Sequence, residues 1–357
     1  MSAARGLAVE IGGVRLKNPL ICGSGEHLIE AAGIEAALEA GAAAVVMKST
    51  NESEAAKAQL SRADYALLDR DWNALEWDGA PPRDAHLFCR SGLSPLDFDD
   101  WLTLLAESDA RARRHDAIVV ASLIPGDPAV ALDYARAMEA AGARVIEVNI
   151  GAPHAGEAVA GAITLERDAE RVRATTAQMR AAVKGPLWIK LTGQSDDVAS
   201  LVIAARAGGA DAVTVMGRSM GFVPDVGTQA PVLGTFGAIG GAWALPLTCR
   251  WLALARRAVG AGYPLLATNG ARDGLDVARF LLAGASAVQM TSAVMTGGFG
   301  VVAETIETFA GYLAERGQAA GDLVGRAADL LAGYQSVRAD TDRWRELFGG
   351  TGPSGDA

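Results

Sequence analysis

An α/β fold, a TIM (β/α)8 barrel, is the class this sequence predicts, and three observations carry it. Eight short apolar runs recur along the 357 residues: Leu20–Cys22, Ala44–Met47, Ile118–Ser122, Val145–Asn149, Leu187–Lys190, Ala212–Met216, Leu265–Thr268 and Ala287–Met290. They are continuous rather than alternating, as strands buried on both faces of a parallel sheet are. Ala-rich amphipathic segments separate most of them, which is the βα alternation of a barrel. The rival, an open doubly wound sheet, wants a G-x-G-x-x-G turn after its first strand, and Gly23-Ser24-Gly25-Glu26-His27 does not supply one.

Taken in order, Val9–Leu16 turns at Gly12-Gly13 and predicts a β-hairpin ahead of the barrel. Helices are expected over Ile34–Ala40, Pro128–Ala141, Ala169–Val183, Asp197–Ala207, Leu245–Val259 and Gly274–Ala283. Ala-Gly-Ala recurs before strands at 40–42, 141–143 and 283–285, where Gly suits a left-handed helix end. Residues 50–116, between the second and third strands, exceed an ordinary loop and carry Trp72, Trp77, Phe88, Phe98 and Trp101. Such an insertion at the C-terminal face of the strands is expected to roof the active site. A single domain over 1–350 is expected, with 351–357, small and polar, as a disordered tail.

Composition excludes several classes of function. The net charge of −10 argues against a broad nucleic-acid footprint. No apolar run reaches the roughly 18 residues of a membrane span, and Met1–Gly6 lacks the apolar core of a signal peptide. Cys22, Cys89 and Cys249 are far apart, which suits a reducing cytoplasm and neither a disulfide framework nor an iron–sulfur cluster. His27, His86, His115 and His154 show no zinc-like spacing, so no metal is expected.

Chemistry-bearing motifs fall at the ends of the strands. Asn18-Pro19-Leu20-Ile21-Cys22-Gly23-Ser24-Gly25, Met47-Lys48-Ser49-Thr50, Val148-Asn149-Ile150-Gly151-Ala152-Pro153, Trp188-Ile189-Lys190-Leu191, Phe236-Gly237-Ala238-Ile239-Gly240-Gly241, Thr268-Asn269-Gly270-Ala271 and Gln289-Met290-Thr291-Ser292 follow one another along the chain. In that order and spacing they resemble the dihydroorotate dehydrogenases, particularly the soluble dimeric class, from about Val9 to about Phe309. The resemblance implies an FMN flavoprotein and a homodimer. It implies FMN contacts from Gly23, Ser24, Gly25, Lys48, Ser49, Asn149, Lys190, Gly240, Gly241, Asn269, Gly270, Thr291 and Ser292. Substrate contacts are implied for Lys48, Asn149 and the stretch Cys89-Arg90-Ser91-Gly92-Leu93, and from the chain's own residues Arg90 and Arg218 are read as extra cations able to clamp a carboxylate or phosphate. The residues agree independently: two Lys ending apolar strands suit a reduced flavin's negative charge, and backbone N–H groups at Asn269-Gly270 and Thr291-Ser292 suit a phosphate.

The departures bear on the reaction. Ala152 stands where the family carries a catalytic Cys or Ser, and Gly151 where it carries a Ser two residues before the Pro. Of four family Asn that fix the substrate ring, only Asn149 is retained; Cys89, His154 and Gly217 take the other places. Unpaired substrate amides would cost on the order of 1–3 kcal/mol each, and Ala152 has no atom to accept a proton. The expectation is therefore an FMN oxidoreductase acting on a small cyclic, anionic substrate other than dihydroorotate. Lys48, Lys190, Asn149 and His154 are its catalytic candidates. His154 is the proton carrier, Arg218 the anion clamp, and Gly217 the place where a missing side chain admits a larger ligand. Two alternatives stand beside it: a dihydroorotate dehydrogenase with an atypical base, and a non-catalytic flavin-binding protein or subunit.

Overall fold

The computed structural model describes residues 6–77, 81–152, 166–338 and 343–349. Eight strands form a closed parallel barrel: β1 (Leu20–Cys22), β2 (Ala44–Val46), β3 (Ile118–Leu123), β4 (Ile146–Asn149), β5 (Leu187–Lys190), β6 (Ala212–Val215), β7 (Leu265–Thr268) and β8 (Ala287–Met290). Closure is made by β8 on β1, with Val288 opposite Leu20, Gln289 opposite Ile21 and Met290 opposite Cys22. Every residue of β1, β2, β3, β6, β7 and β8 is buried, because helices cover the outer face and side chains fill the inner one. That explains the continuous apolar runs.

The ring helices are α1 (Ala31–Glu39), α2 (Phe98–Ala112), α3 (Pro128–Ala140), α4 (Ala169–Ala182), α5 (Val198–Ala207), α6 (Leu245–Val259), α7 (Gly274–Ala283) and α8 (Gly300–Arg316). Four begin on an Asp whose carboxylate accepts free backbone N–H groups: Asp127, Asp168, Asp197 and Asp273. Each such cap contributes about 1 kcal/mol. The hairpin Val9–Ile11/Val14–Leu16 buries Ile11 and Leu16, and its Gly12 lies against Asp211, the residue before β6. It therefore sits at the N-terminal end of the barrel, opposite the site.

The segment 50–116 is not all roof. Phe98–Ala112 is the ring helix α2, packed on α1 and β3, and its buried Trp101 donates its indole N–H to the Lys48 carbonyl at 3.0 Å. The roof is an antiparallel sheet in the order Ser219–Gly221, Gly237–Gly240, His86–Arg90, Asp64–Leu68, Ala74–Leu75. Two insertions build it, one after β2 and one after β6. The Gly-rich motif 236–241 is mostly a strand, Gly237–Gly240, and Gly241, at φ 149°, breaks from it.

After β1 the chain makes a tight turn through Glu26–Leu28. Gly33 of α1 passes so close that a Cβ there would come within 1.8 Å of the His27 carbonyl oxygen. His27 is held beside the Cys22 thiol, with Sγ to Nε2 3.4 Å, and beside the Phe299 ring. Burial lowers His27 from 6.5 to about 4 and raises the Cys22 thiol to about 12. His27 is therefore neutral in the folded chain at pH 7. As pH falls through this window, from 6.5 to about 4, the unfolded chain takes up a proton that the folded chain does not. Stability should fall across it by up to roughly 3 kcal/mol from this group and level off below it. Urea unfolding at pH 7 and pH 4.5 checks this: the parent should lose more stability between the two than His27→Gln does. Equal losses would show that His27 is not the buried neutral group described.

Candidate active site

The C-terminal ends of the barrel strands converge under the roof. Inside the barrel, Lys190 at the end of β5 donates from Nζ to Gln289 Oε1 on β8 at 2.7 Å and lies 3.7 Å from Glu147 Oε1 on β4. Thr214 Oγ1 on β6 donates to Glu147 Oε2 at 2.8 Å, and the Gln289 amide donates to the same oxygen. Glu147 is fully buried and Lys190 nearly so. Burial pulls Lys190 below its ordinary value, Glu147 pushes it back up, and Arg218 lowers it further. Four strands thus lock one ammonium beneath the barrel mouth, directly opposite Asn149 in register.

A second buried pair lies at the end of β2. Lys48 Nζ donates to Glu26 Oε1 at 2.9 Å, and both side chains are almost shielded from solvent. The same oxygen accepts the Gly92 N–H at 3.3 Å. Burial lowers Lys48 while Glu26 raises it. Burial alone would raise Glu26, but Lys48 and Arg218 hold it below the usual carboxylate range. Ser49 Oγ sits 2.7 Å from Ser122 Oγ and 3.5 Å from Ser24 Oγ, and the Ser49 carbonyl takes the Ser94 N–H. This docks the stretch 90–94, with Leu93 half-buried, onto β2.

Arg218 follows β6 and reaches across to the roof, donating from Nη1 to Cys89 Sγ at 3.1 Å and from Nη2 to Ser91 Oγ at 2.7 Å. It is exposed by area although protein surrounds it, as befits a group in an open cleft. It makes no ion pair with a carboxylate among the described residues. The roof's pleat decides which neighbours join it. Met220, Ala238, Cys89 and Tyr65 lie in one row across four strands and face the mouth with Leu87. Leu68, Phe88 and Ile239 face the other way into a small core of their own. Arg90 shares the parity of Phe88: its guanidinium holds Asp64 Oδ2 at 3.1 Å and the Leu233 carbonyl at 2.7 Å. Since adjacent strand residues point to opposite faces, Arg90 does not join the substrate residues expected beside it. Tyr65 does; burial and then the Glu26 charge raise its phenol above the usual range.

The third region lies at the ends of β7 and β8. Asn269 and Gly270 take left-handed backbone, φ 66° and 121°, and Asn269 is buried with neither side-chain amide atom paired among the described residues. A Cβ on Gly240 would meet Ser292 at 3.1 Å and Asn269 Oδ1 at 3.7 Å, and one on Gly23 would meet Thr291 Oγ1 at 2.3 Å. One on Gly25 would meet His27, and one on Gly241 the ring of His86. The glycines therefore bring backbone N–H groups and an unpaired amide together where β8 closes on β1, a cradle that fits a phosphate.

The loop after β4 is described as far as Ala152. Asn149 Oδ1 accepts the Gly151 N–H at 3.1 Å. A Cβ on Gly151 would fall 2.5 Å from the Thr192 nitrogen, so no side chain fits there. His154 lies outside the described residues. Gly217 corrects the sequence reading: a Cβ would come 2.9 Å from the Leu191 carbonyl oxygen, which also accepts the Gly217 N–H. Backbone contact, not room for a larger ligand, requires glycine at this position. Glu26, Tyr65 and Glu147 were not among the candidate site residues read from the sequence, and Gln289 stood there only as the first residue of the motif Gln289-Met290-Thr291-Ser292. A Glu inside the apolar run Val145–Asn149 was the available signal, since a buried charge needs a partner.

Comparison with known proteins agrees with this geometry. Residues 89–313 match the family model for dihydroorotate dehydrogenase, and the chain belongs to that family, oxidoreductases acting on CH–CH groups. It is 29% identical over 304 residues to the dihydroorotate dehydrogenase B (NAD(+)) catalytic subunit of Methanosarcina mazei, covering 83% of this chain and 88% of that protein. It is 31% identical over 299 residues to the one from Methanopyrus kandleri, covering 83% and 87%. The match to dihydroorotate dehydrogenase A (fumarate) of Lactobacillus delbrueckii subsp. bulgaricus, 29% identical, spans 45% of this chain and 52% of that one. No helix among the described residues is long and apolar enough to cross a membrane, and no group of His, Cys, Asp or Glu among them is placed to hold a metal.

The Lys190–Glu147 geometry sets a test by stability. Lys190→Ala should cost about 3–5 kcal/mol in urea unfolding because it strands a buried carboxylate, whereas Lys190→Met combined with Glu147→Leu should recover most of that. A loss under about 1 kcal/mol for Lys190→Ala would show that the pair is hydrated.

Proposed function

We propose that this chain is an FMN-dependent oxidoreductase that oxidises or reduces a CH–CH bond of a small cyclic substrate. The observation that carries this reading is the set of strand ends that meets at the mouth: the phosphate-sized cradle at Asn269, Gly270 and Ser292, and Lys190 held beneath the ring region. FMN, when bound, supplies the hydride chemistry. Gly23, Ser24, Gly25, Ser49, Gly240, Gly241, Asn269, Gly270, Thr291 and Ser292 are the residues we assign to hold it, with Lys48, Asn149 and Lys190 toward its ring.

This chain's own side chains have separate tasks in that reading. Lys190, fixed by Gln289 and Glu147, favours negative charge on a reduced flavin. Arg218, without a carboxylate partner among the described residues, orients an acidic or carbonyl group of the substrate. The apolar row Met220, Ala238, Cys89 and Leu87 shields the mouth from water. By family resemblance we assign a homodimer, and the relatives named as catalytic subunits make a companion subunit the alternative assembly.

The names of the relatives favour the alternative weighed from the sequence, dihydroorotate itself with an atypical base. Ala152 and the Glu26–Lys48 pair favour a different ring. Purified protein decides both levels. It should be yellow, with one FMN released per chain on denaturation; a colourless protein that also refuses added FMN ends the flavoprotein reading. Losing a general base typically slows turnover by roughly 10²–10⁴-fold, so dihydroorotate should bleach the flavin slowly under anaerobic conditions. Turnover with fumarate, quinone or NAD in the ordinary enzymatic range of about 1–10³ per second would select dihydroorotate as the substrate and sink the reading of a different ring.

A further inference from the structure

Lys48 and the Gly92 N–H form one anion-binding corner of the mouth, and the chain fills it with its own carboxylate. Glu26 Oε1 accepts both donors, at 2.9 Å and 3.3 Å. Glu26 is not a surface group that happens to fold inward. It is fixed in the turn after β1 and its side chain is only 13% exposed. The Gly92 backbone has no freedom to retreat, because a Cβ there would already fall 2.5 Å from the Leu60 nitrogen. A substrate carboxylate entering this corner would have to displace Glu26 from both donors or sit against a like charge in a poorly solvated site. Either is unfavourable in a poorly solvated site.

Resting on the flavoprotein reading above, we propose that Glu26 is the specificity determinant of this site, a built-in carboxylate that closes the Lys48–Gly92 corner to anionic substituents. The ring that binds is then uncharged at its Lys48 end. The charge count supports this. Lys48 and Lys190 each have a carboxylate of the chain, Glu26 and Glu147, and Arg218 has none among the described residues. Tyr65 faces the same mouth from the roof, where burial and then the Glu26 charge raise its phenol.

The test uses FMN-loaded protein and two probes of nearly the same ring, orotate with its carboxylate and uracil without one. Binding is followed by perturbation of the visible flavin spectrum. The parent should bind uracil at least as tightly as orotate. Glu26→Gln should tighten orotate about tenfold or more while leaving uracil within about threefold, because it removes the like charge and frees Lys48. Glu26→Ala should do the same if Gln keeps the Lys48 contact. Orotate binding more tightly than uracil to the parent overturns the proposal, whether or not either variant folds. So does a folded, flavin-loaded variant whose orotate affinity does not rise, or a parent that binds neither ring. A protein without flavin would instead fail the underlying reading, which the colour of the purified parent reveals beforehand.

Discussion

Closure of β8 onto β1 is the constraint on which the rest of the site depends. Each functional side chain comes from a different strand end: Glu26 after β1, Lys48 after β2, Asn149 on β4, Lys190 on β5, Arg218 after β6, Asn269 after β7 and Gln289 on β8. Apart from Asn149, whose amide oxygen takes the Gly151 N–H, and Asn269, whose amide is unpaired among the described residues, these side chains pair across strands rather than with near neighbours in sequence. The pairing of Gln289 with Ile21 and Met290 with Cys22 sets Gly23 against Thr291 and brings Gln289 into reach of Lys190. A register slip of one residue there would turn Gln289 out of the barrel and strand both Glu147 and Lys190.

Electrostatics then divides the mouth into parts. Two lysines are buried, which burial alone would oppose, and each is kept by a carboxylate within reach. The difference between them is what surrounds the carboxylate. Glu147 lies wholly within the barrel, where Thr214 and Gln289 also satisfy it. Glu26 lies at the rim, where a roof backbone N–H and Tyr65 meet it. The first arrangement builds a permanent cation into the floor, and the second cancels one in the wall. Of the three, Arg218 is the cation without a carboxylate in ion-pair distance among the described residues.

Much of the barrel was legible because burial on both faces leaves a direct mark: the eight apolar runs match the eight strands to within a residue or so at each end. The segments Ala169–Val183 and Gly274–Ala283, expected as helices, are helical from Ala169 and Gly274, each directly after a capping Asp, Asp168 and Asp273. What was not legible depended on distant partners. Phe98–Ala112 was hidden within a long aromatic-rich insertion, and the roof joined two insertions more than a hundred residues apart. Cys89 and Arg90 are adjacent, and only the pairing of their strand tells which one meets Arg218 and which one meets Asp64. Glu26 gave no local sign of its role, since a Glu after a strand is ordinarily a solvated turn residue. Lys48 and Lys190 were found because a charge closing an apolar strand is unusual wherever it occurs.

The central claim is that one mouth, at the C-terminal ends of the strands, holds both flavin and substrate. A crystal structure of the purified chain with FMN tests it most directly. The phosphate should lie between Asn269-Gly270 and Thr291-Ser292, the ring system between Lys190 and the roof row of Cys89 and Tyr65, and Glu26 should still hold Lys48. Flavin bound elsewhere on the molecule, or a ring turned away from Lys190, would contradict it.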